Sequence, residues 1–218
     1  KLSKTGDQWT VTTDQGEISC SKLVLANNSF ARELGVSRGR MAAVYTYAGL
    51  TPRLDQGVLD SLGSVTNWGL LPSHRLGSTL RRTADGRLLV RSAHSYESEL
   101  ATAKVTALLQ DRLWRRFPSL KGQAFEHVWG GAVGITFNGA PVWGEQQPGL
   151  FISGGCNGGG TVKGTLLGKL LAESALGYSV PDVAGLFGSP SWMPPEPLRR
   201  IGFHANAALE SWQGRQEL

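Results

Sequence analysis

The feature that most constrains this 218-residue sequence is a glycine-rich segment between two regular elements, residues 152–164 (ISGGCNGGGTVKG). An apolar run typical of a buried strand, residues 150–153, precedes it, and a helical pattern over residues 161–176 follows. Glycines allow a ligand to approach the backbone, and the free N–H groups at a helix start favour negative charge. The segment therefore predicts a site for a phosphate or for the electron-rich carbonyl of a reduced cofactor. The alternative is a loop that only lets the helix pack closely against the sheet.

This loop matches neither of the common nucleotide-binding fingerprints. In a GxGxxG pattern that begins at Gly158, the third glycine position is occupied by Lys163, and GxxxxGK[ST] does not occur. A second segment rich in small residues, 129–144 (WGGAVGITFNGAPVWG), suggests backbone beside a flat ligand. Its alternative interpretation is a bulged strand followed by a turn.

The order of the predicted elements indicates an α+β, or mixed α/β, fold. Strands are predicted over residues 8–13, 17–26, 41–50, 78–83, 87–92, 125–137 and 150–153, and helices over 97–117, 161–176 and 196–212. Residues 14–16 and 84–86 supply the turns of two predicted hairpins. Strands and helices do not alternate regularly, which argues against an orderly βαβ series.

Composition and charge exclude several other classes of protein. The 22 Lys and Arg outnumber the 17 Asp and Glu, but they are dispersed, so a nucleic-acid partner has little support. The four histidines lack metal-ligand spacing, and no apolar run is long enough for a membrane span. Cys20 and Cys156 provide no disulfide framework, which predicts a reducing, cytoplasmic compartment. The chain opens on Lys1 and runs directly into a predicted strand, so we expect a fragment or a processed chain.

Four segments, taken in order, resemble the C-terminal half of the FAD-dependent amine and amino-acid oxidases. This family includes D-amino-acid oxidase, glycine oxidase and sarcosine oxidase, and the γ-glutamylputrescine oxidase-like proteins are the branch that looks most similar. The resemblance covers about residues 8–177. The matching segments are KLVLANNSF at 22–30 (the strand with the ATGxW element), LRRTADGRLL at 80–89 (the RxxxDGRLL hairpin), residues 130–144 (the strand ending in DGxPxxG) and residues 155–168 (the late glycine loop and helix).

The resemblance implies a mixed-sheet substrate domain together with the C-terminal part of a Rossmann-type FAD domain, whose N-terminal GxGxxG unit is absent from this sequence. Residues 1–35 would be closing strands of the FAD-binding domain, and residues 36–128 the substrate domain. Residues 129–177 would supply the flavin-contacting strand, the glycine loop and the last FAD-domain helix, and residues 178–218 a partly helical tail. A separate N-terminal FAD-binding segment is therefore a possible partner.

By the same resemblance, the parent protein is an FAD-dependent oxidoreductase that oxidises the C–N bond of an amine or amino acid. Hydride would pass from the α-carbon of the substrate to flavin N5. The implied cofactor-binding residues are Asn27, Asn28, Phe30, Gly131, Ala132, Gly158, Gly159, Gly160, Thr161 and Val162. The implied substrate-binding residues are Tyr45, Trp68, Arg81 and Val133, and no catalytic residue is assigned. For Tyr45 and Trp68, the alternative is an ordinary core or rim aromatic.

Departures from the family pattern refine these expectations. Val133 stands where D-amino-acid and glycine oxidases carry an arginine that clamps the substrate carboxylate, so an amine without an α-carboxylate fits better. Gly131 stands where sarcosine oxidase carries the cysteine that links FAD, so FAD is expected to be non-covalent and could be absent from this chain alone. The alternative function is a non-catalytic binding or assembly module, inactive without a separate FAD-binding part.

Overall fold

A computed structural model describes residues 1–217, which form two compact units. Unit 1 comprises Lys1–Ala43 and Val133–Pro195, and unit 2 comprises Val44–Ala132 and the C-terminal segment from Glu196. Each unit is thus built from two separate stretches of the chain. The mixed α/β fold expected from the sequence is confirmed.

Unit 1 contains two three-stranded sheets. An antiparallel sheet of order β1-β2-β3 consists of Leu2–Thr5, Gln8–Thr12 and Glu17–Cys20. A mixed sheet of order β10-β11-β4 consists of Val142–Gln147, Leu150–Gly154 and Leu23–Leu25. In the mixed sheet, β4 runs parallel to β11, and the two strands deliver their carboxyl ends to the same edge.

The prediction of one continuous strand over residues 17–26 is wrong. The chain leaves the first sheet after Cys20 and enters the second at Leu23, whose amide donates to the carbonyl of Gly149. The two halves have different burial, because Ile18 on β3 is 60% exposed whereas Leu25 on β4 is buried beside β11. Leu25 is thus covered by the mixed sheet, whereas Val24, on the other face of β4, is 46% exposed.

Unit 1 also contains helices. They are a 3-10 helix, Asn28–Arg32, the long helix α3, Gly160–Ala175, and the short helix α4, Val183–Phe187. Leu171 and Ala175 of α3 pack against Phe151 of β11. Trp9 of β2 joins the core beneath β4 and β11, and its indole donates to the carbonyl of Pro148 at 3.0 Å.

Unit 2 is a five-stranded sheet with helices. The sheet has the order β6-β7-β8-β5-β9, formed by Trp68–Leu70, Thr79–Arg82, Leu88–Tyr96, Ala42–Leu50 and His127–Ile135. The helices are α1, Gln56–Ser61, α2, Thr102–Arg116, a 3-10 helix, Pro118–Leu120, and α5, Leu198–Gln213. Strands β5 and β9 each continue along the chain into unit 1.

The core of unit 2 forms where α2 packs on the sheet. Val105, Leu109 and Leu113 of α2 are almost fully buried against Leu80 and Val90 of the β7–β8 hairpin. The hairpin turn predicted at residues 84–86 is confirmed, with Gly86 at a φ of +82°. Helix α2 begins at Thr102, five residues after the predicted start, and ends before Pro118 as expected. Among residues 1–217, no helix is both long and apolar enough to cross a membrane.

Helix α5 is attached to the end of β8 by a small aromatic and charged cluster. Tyr96 is 5% exposed, and its hydroxyl donates to Glu196 Oε1 at 2.6 Å. The ring of Phe203 lies 4.8 Å from that of Tyr96, and the Arg200 guanidinium lies 5.7 Å from its centroid. Burial, and then the hydrogen bond to Glu196, raise the pKa of Tyr96 to about 12. The start of α5 is therefore held in one place on unit 2.

Replacing Tyr96 by Phe tests this attachment. Since the change leaves the ring but removes the donor to Glu196, we expect the free energy of unfolding to fall by about 1–2 kcal/mol at about pH 8. The folded pKa of about 12 exceeds the ordinary 10.0, so this stabilisation is present below the lower value and is lost as pH rises towards the higher one. Urea unfolding at about pH 8 and about pH 11 should therefore show the two proteins converging. Tyr178→Phe, at an exposed tyrosine, is the control. If the wild type loses no more stability between these two pH values than Tyr96→Phe does, the Tyr96 hydroxyl does not stabilise the attachment of α5.

Candidate functional site

The glycine loop predicted from the sequence lies between β11 and α3 and has a left-handed backbone at three positions. Gly155, Asn157 and Gly158 have φ values of +68°, +50° and +85°. At Gly155 a side chain is also excluded by space, because a Cβ there would lie 2.7 Å from the Cγ2 of Thr136. At Gly158 nothing lies within 4 Å of such an atom, so this part of the loop presents bare backbone to open space.

Asn157 holds the loop in this conformation. Its Oδ1 accepts from the backbone amide of Thr136 at 2.9 Å, and its Nδ2 donates to the carbonyls of Gly155 and Gly139 at 2.7 and 3.1 Å. Its own amide donates to the carbonyl of Gly134 at 2.9 Å. One side chain therefore joins the loop to the end of β9 and to the turn that follows β9.

Asn28 holds the loop from the other side. Its Oδ1 accepts from the amide of Gly155 at 3.0 Å, and its Nδ2 donates to the Cys156 sulfur at 3.3 Å. A Cβ at Gly134 would lie 2.4 Å from the Oδ1 of Asn28 and 2.8 Å from the sulfur of Met41, so only glycine fits on β9 there. Gly134 on β9 is therefore explained by internal packing and needs no ligand to account for it.

Helix α3 begins with its first amides uncapped. No side chain caps the start at Gly159, and no acidic residue lies in the first turn. The Gly159 amide donates to the carbonyl of Cys156 at 2.9 Å, whereas the amides of Gly160, Thr161 and Val162 have no acceptor within the helix. The helix dipole adds a partial positive charge at this point. The arrangement can accept an anion or an electron-rich carbonyl.

A cleft of about 220 Å³ lies beside this helix start, all of it within unit 1. Its lining is built from the chain that follows β4, from the glycine loop and from one face of α3. The lining residues are Ala26, Asn28, Ser153, Gly154, Gly155, Cys156, Gly160, Lys163, Gly164, Leu167 and Gly168.

The predicted flavin-contacting residues of unit 1 fall into two groups. Asn28 and the loop residues 158–162 come together at this edge, and Val162 is 78% exposed there. Asn27 is exposed and occupies the N-cap position of the 3-10 helix without a capping side-chain hydrogen bond. Phe30, on the same helix, is 43% exposed. The first group thus combines the backbone of the glycine loop with the Asn28 side chain that holds it. Phe30 adds an exposed ring on the 3-10 helix.

The remaining predicted residues lie along β9. Gly131 and Val133 have the same parity on this strand and so project from one face, and nothing lies within 4 Å of a Cβ at Gly131. Gly130 and Gly134 project from the other face, where a Cβ would strike the ring of Tyr47 and the side chain of Asn28, respectively. Ala132, on that second face, is partly buried. The open face of β9 is therefore the one that carries Gly131 and Val133.

The predicted substrate residues of unit 2 do not share one face of the sheet. Trp68 on β6 lies opposite Arg82 of β7 and packs against the core that α2 covers. Tyr45 on β5 packs against the same core. Arg81 is exposed and alternates with the buried Leu80, so it projects from the opposite face. The structure brings Tyr45 and Trp68 into one core and places Arg81 away from them.

Sequence reasoning missed Asn157, Thr136 and Lys163. The signal for Asn157 was present, since asparagine tolerates a left-handed conformation and stands inside a run of glycines. Nothing local marks Thr136, whose role depends on a partner 21 residues away. Lys163 lines the cleft from the first turn of α3. Within residues 1–217, no cluster of three or more His, Cys, Asp or Glu side chains could hold a metal ion.

The chain matches the model of a known family. Residues 1–174 match the DAO family, described as FAD dependent oxidoreductase. Because the match covers most of the chain, the protein belongs to this family, and the resemblance noted in the sequence is confirmed.

The chain is less than 30% identical to the individual relatives described next. The chain is 29% identical over 182 residues to a probable oxidoreductase, OrdL, of Rhizobium meliloti (strain 1021), covering 82% of this chain and 41% of that protein. It is 26% identical over 165 residues to gamma-glutamylputrescine oxidoreductase of Escherichia coli (strain K12), covering 75% and 38%. Glycine oxidase from Geobacillus kaustophilus has the same fold at 18% identity, with a TM-score of 0.69 over 89% of this chain and 51% of that one. The chain thus spans about two fifths of the length of these curated relatives.

The contribution of Asn157 can be measured with two substitutions. Asn157→Gly keeps the left-handed backbone but removes the side-chain bonds, so we expect the free energy of unfolding to fall by about 1–3 kcal/mol. Asn157→Ala should cost a further ~1–2 kcal/mol, because alanine resists a positive φ. Urea unfolding of the two variants separates these effects. A glycine variant as stable as the wild type would show that the side-chain bonds do not hold the loop.

Proposed function

We propose that the complete protein containing this chain oxidises the C–N bond of a small amine with bound FAD. The observation that carries the proposal is the start of α3, where three unpaired amides and an open glycine backbone occur in a chain of an FAD-dependent family. FAD, when bound, supplies the acceptor at flavin N5 for hydride from the α-carbon of the substrate. The protein's part is to bind, orient and polarise.

The residues present fit the ring end of a flavin. The amides of Gly160, Thr161 and Val162 would donate to the electron-rich carbonyl edge, where the helix dipole stabilises the charge that reduction adds. Gly158 leaves room for close approach to the backbone. Gly159, which donates to Cys156, would contribute shape rather than a hydrogen bond. Asn28 would act by holding the loop, and Asn27, Phe30, Gly131 and Ala132 would lie along the cofactor.

We propose that unit 2, with β9, recognises the substrate. Val133 is on the open face of β9 and carries no charge, which suits an amine without an α-carboxylate. The name of the Escherichia coli relative, a gamma-glutamylputrescine oxidoreductase, supports a substrate of the amine class. Of the predicted contacts in unit 2, Arg81 is the exposed one, whereas Tyr45 and Trp68 would act mainly by shaping the sheet.

We propose further that an N-terminal FAD-binding segment of the complete protein packs on unit 1. Within residues 1–217, β4 pairs with β11 on one side and with no strand on the other, and Val24 is 46% exposed. On α3, Gly164 and Gly168 lie on the face that lines the cleft, and nothing lies within 4 Å of a Cβ at either. The four sequence segments, 1–35, 36–128, 129–177 and 178–218, would then be the flavin, substrate, flavin and tail parts.

The proposed setting is the cytoplasm. Cys20 and Cys156 are both free thiols in the structure, as expected in a reducing compartment.

Intact mass and a visible absorption spectrum of the purified protein test the proposal. Flavin bands in a longer protein, or in this chain with a co-purifying N-terminal piece, would support it. A mass near 23.4 kDa without flavin bands would mean that this chain alone does not retain the cofactor, and would favour the non-catalytic binding module.

Gly160→Val should abolish flavin binding in the complete protein. A Cβ at Gly160 would lie 3.6 Å from the Cβ of Cys156, an ordinary contact, so the variant should fold while its side chain occupies the ligand's place. Gly57→Val, near the start of α1 where nothing lies within 4 Å, is the matched control. The measurement is the ratio of flavin to protein absorbance; normal occupancy in Gly160→Val would remove the loop from the site.

Val133→Arg should move the substrate preference towards α-carboxylated amines. A guanidinium on the open face of β9 can bind a carboxylate through two parallel hydrogen bonds. The control is Val133→Gln, which adds length and polarity without charge. Turnover of paired substrates with and without the carboxylate is the measurement, and unchanged specificity in the arginine variant would show that Val133 does not face the substrate.

A further inference from the structure

Lys163 is the charged residue in the wall of the cleft beside the start of α3. Among the described residues that line this cleft, the other polar side chains are the hydroxyl of Ser153, the amide of Asn28 and the thiol of Cys156. No aspartate or glutamate belongs to this lining. The cleft wall therefore carries one cation and no carboxylate that would balance it.

The Lys163 side chain lies back over the start of the helix. Its Cδ and Cε are 3.7 and 3.8 Å from the place that a Cβ at Gly159 would occupy. Lys163 is partly buried, whereas its neighbours Val162 and Gly164 are exposed. Helical side chains point towards the N-terminus of their helix, and a lysine stem can lie along a surface while its ammonium stays accessible. The ammonium is one bond beyond a carbon that already lies beside the glycine loop.

This end of α3 is unfavourable for a cation unless negative charge is also present. The unpaired first amides and the helix dipole already make it partially positive, and the first turn contains no acidic residue. Within residues 1–217, the Lys163 ammonium forms no hydrogen bond and no ion pair, whereas Lys169 on the same helix pairs with Glu173. Negative charge that develops in the cleft would therefore be stabilised by two sources of positive potential.

A purely structural role suits Lys163 less well. Lys22 shows the structural use of a lysine in the same unit, because its ammonium donates to the carbonyl of Ala175 at the C-terminal end of α3. That end carries the negative part of the helix dipole, so a cation there is stabilising. Lys163 lies at the opposite end and has no such acceptor among the described residues.

We propose that Lys163 raises the reduction potential of the bound flavin by placing a positive charge beside its carbonyl edge. The inference rests on the proposed function, because it requires the flavin ring in this cleft. Hydride from the substrate brings two electrons and one proton, so the flavin ring gains one negative charge. A fixed cation beside the edge that takes up this charge stabilises the reduced ring more than the oxidised one.

Redox titration of the complete, flavin-containing protein tests the inference. Lys163→Met keeps the length of the side chain but removes its charge, so we expect the midpoint potential to fall by at least about 30 mV. This shift corresponds to about tenfold in the equilibrium of a two-electron couple. Lys163→Arg retains the charge and should restore most of the potential. The matched control is Lys169→Met on the same helix, where the side chain is 68% exposed, and it should keep the wild-type potential.

Sulfite binding supplies a second measurement that does not depend on turnover. The sulfur lone pair of sulfite adds to flavin N5, and the ring again gains negative charge at its carbonyl edge. The dissociation constant, followed by loss of the visible flavin band, should rise at least about tenfold in Lys163→Met. Lys163→Arg and Lys169→Met should change it little.

The possible outcomes separate this inference from the proposed function. A complete wild-type protein without flavin would overturn both. Flavin in the wild type, with an unchanged potential and sulfite affinity in Lys163→Met, would overturn the role of Lys163 alone. Loss of flavin from a Lys163→Met variant that circular dichroism shows to be folded would also overturn it, because the lysine would then hold the cofactor rather than set its potential.

Discussion

The candidate site depends on the hydrogen bonds that hold a left-handed loop between β11 and α3. Asn157 bonds to Thr136, Gly155 and Gly139, and Asn28 bonds to Gly155 and Cys156. Without these bonds a run of glycines would have many conformations, and ordering it would cost conformational entropy. With them, the first amides of α3 have a fixed direction before any ligand arrives, which is the condition for electrostatic stabilisation by preorganised donors.

Close packing explains why small residues occur in two distant segments. Gly134 on β9 and Gly155 in the loop each leave room for a side chain from another element, namely Asn28 and Thr136. A glycine-rich pattern can therefore report internal packing and ligand access at once. In this protein, Gly155 and Gly134 serve packing, whereas Gly158 and Gly131 face open space.

Unit 2 uses a different device, since α5 is attached through a buried tyrosine and a carboxylate rather than through a continuous apolar face. Tyr96, Glu196 and Phe203 anchor the inner side of the helix, so its outer side is presented in a defined orientation. A helix of this pattern would usually turn its leucines and tryptophan inward. That it does not is a property of the tertiary structure, because only the contacts of Phe203 and Ala207 show which face is covered.

Local sequence alone determined the fold class, the β7–β8 hairpin, the position of α3 and the glycine loop, because each of these depends on residues close together in the chain. Local sequence also indicated the family, because four short motifs occur in the order that the family has. The tertiary structure decided what distant residues do to one another: that residues 17–26 divide between two sheets, that Trp68 and Arg81 lie on opposite faces, and that Asn157 binds the end of β9. Strand pairing and side-chain bonding across long separations leave no periodic pattern in a single sequence, because their energies depend on partners that only folding brings together.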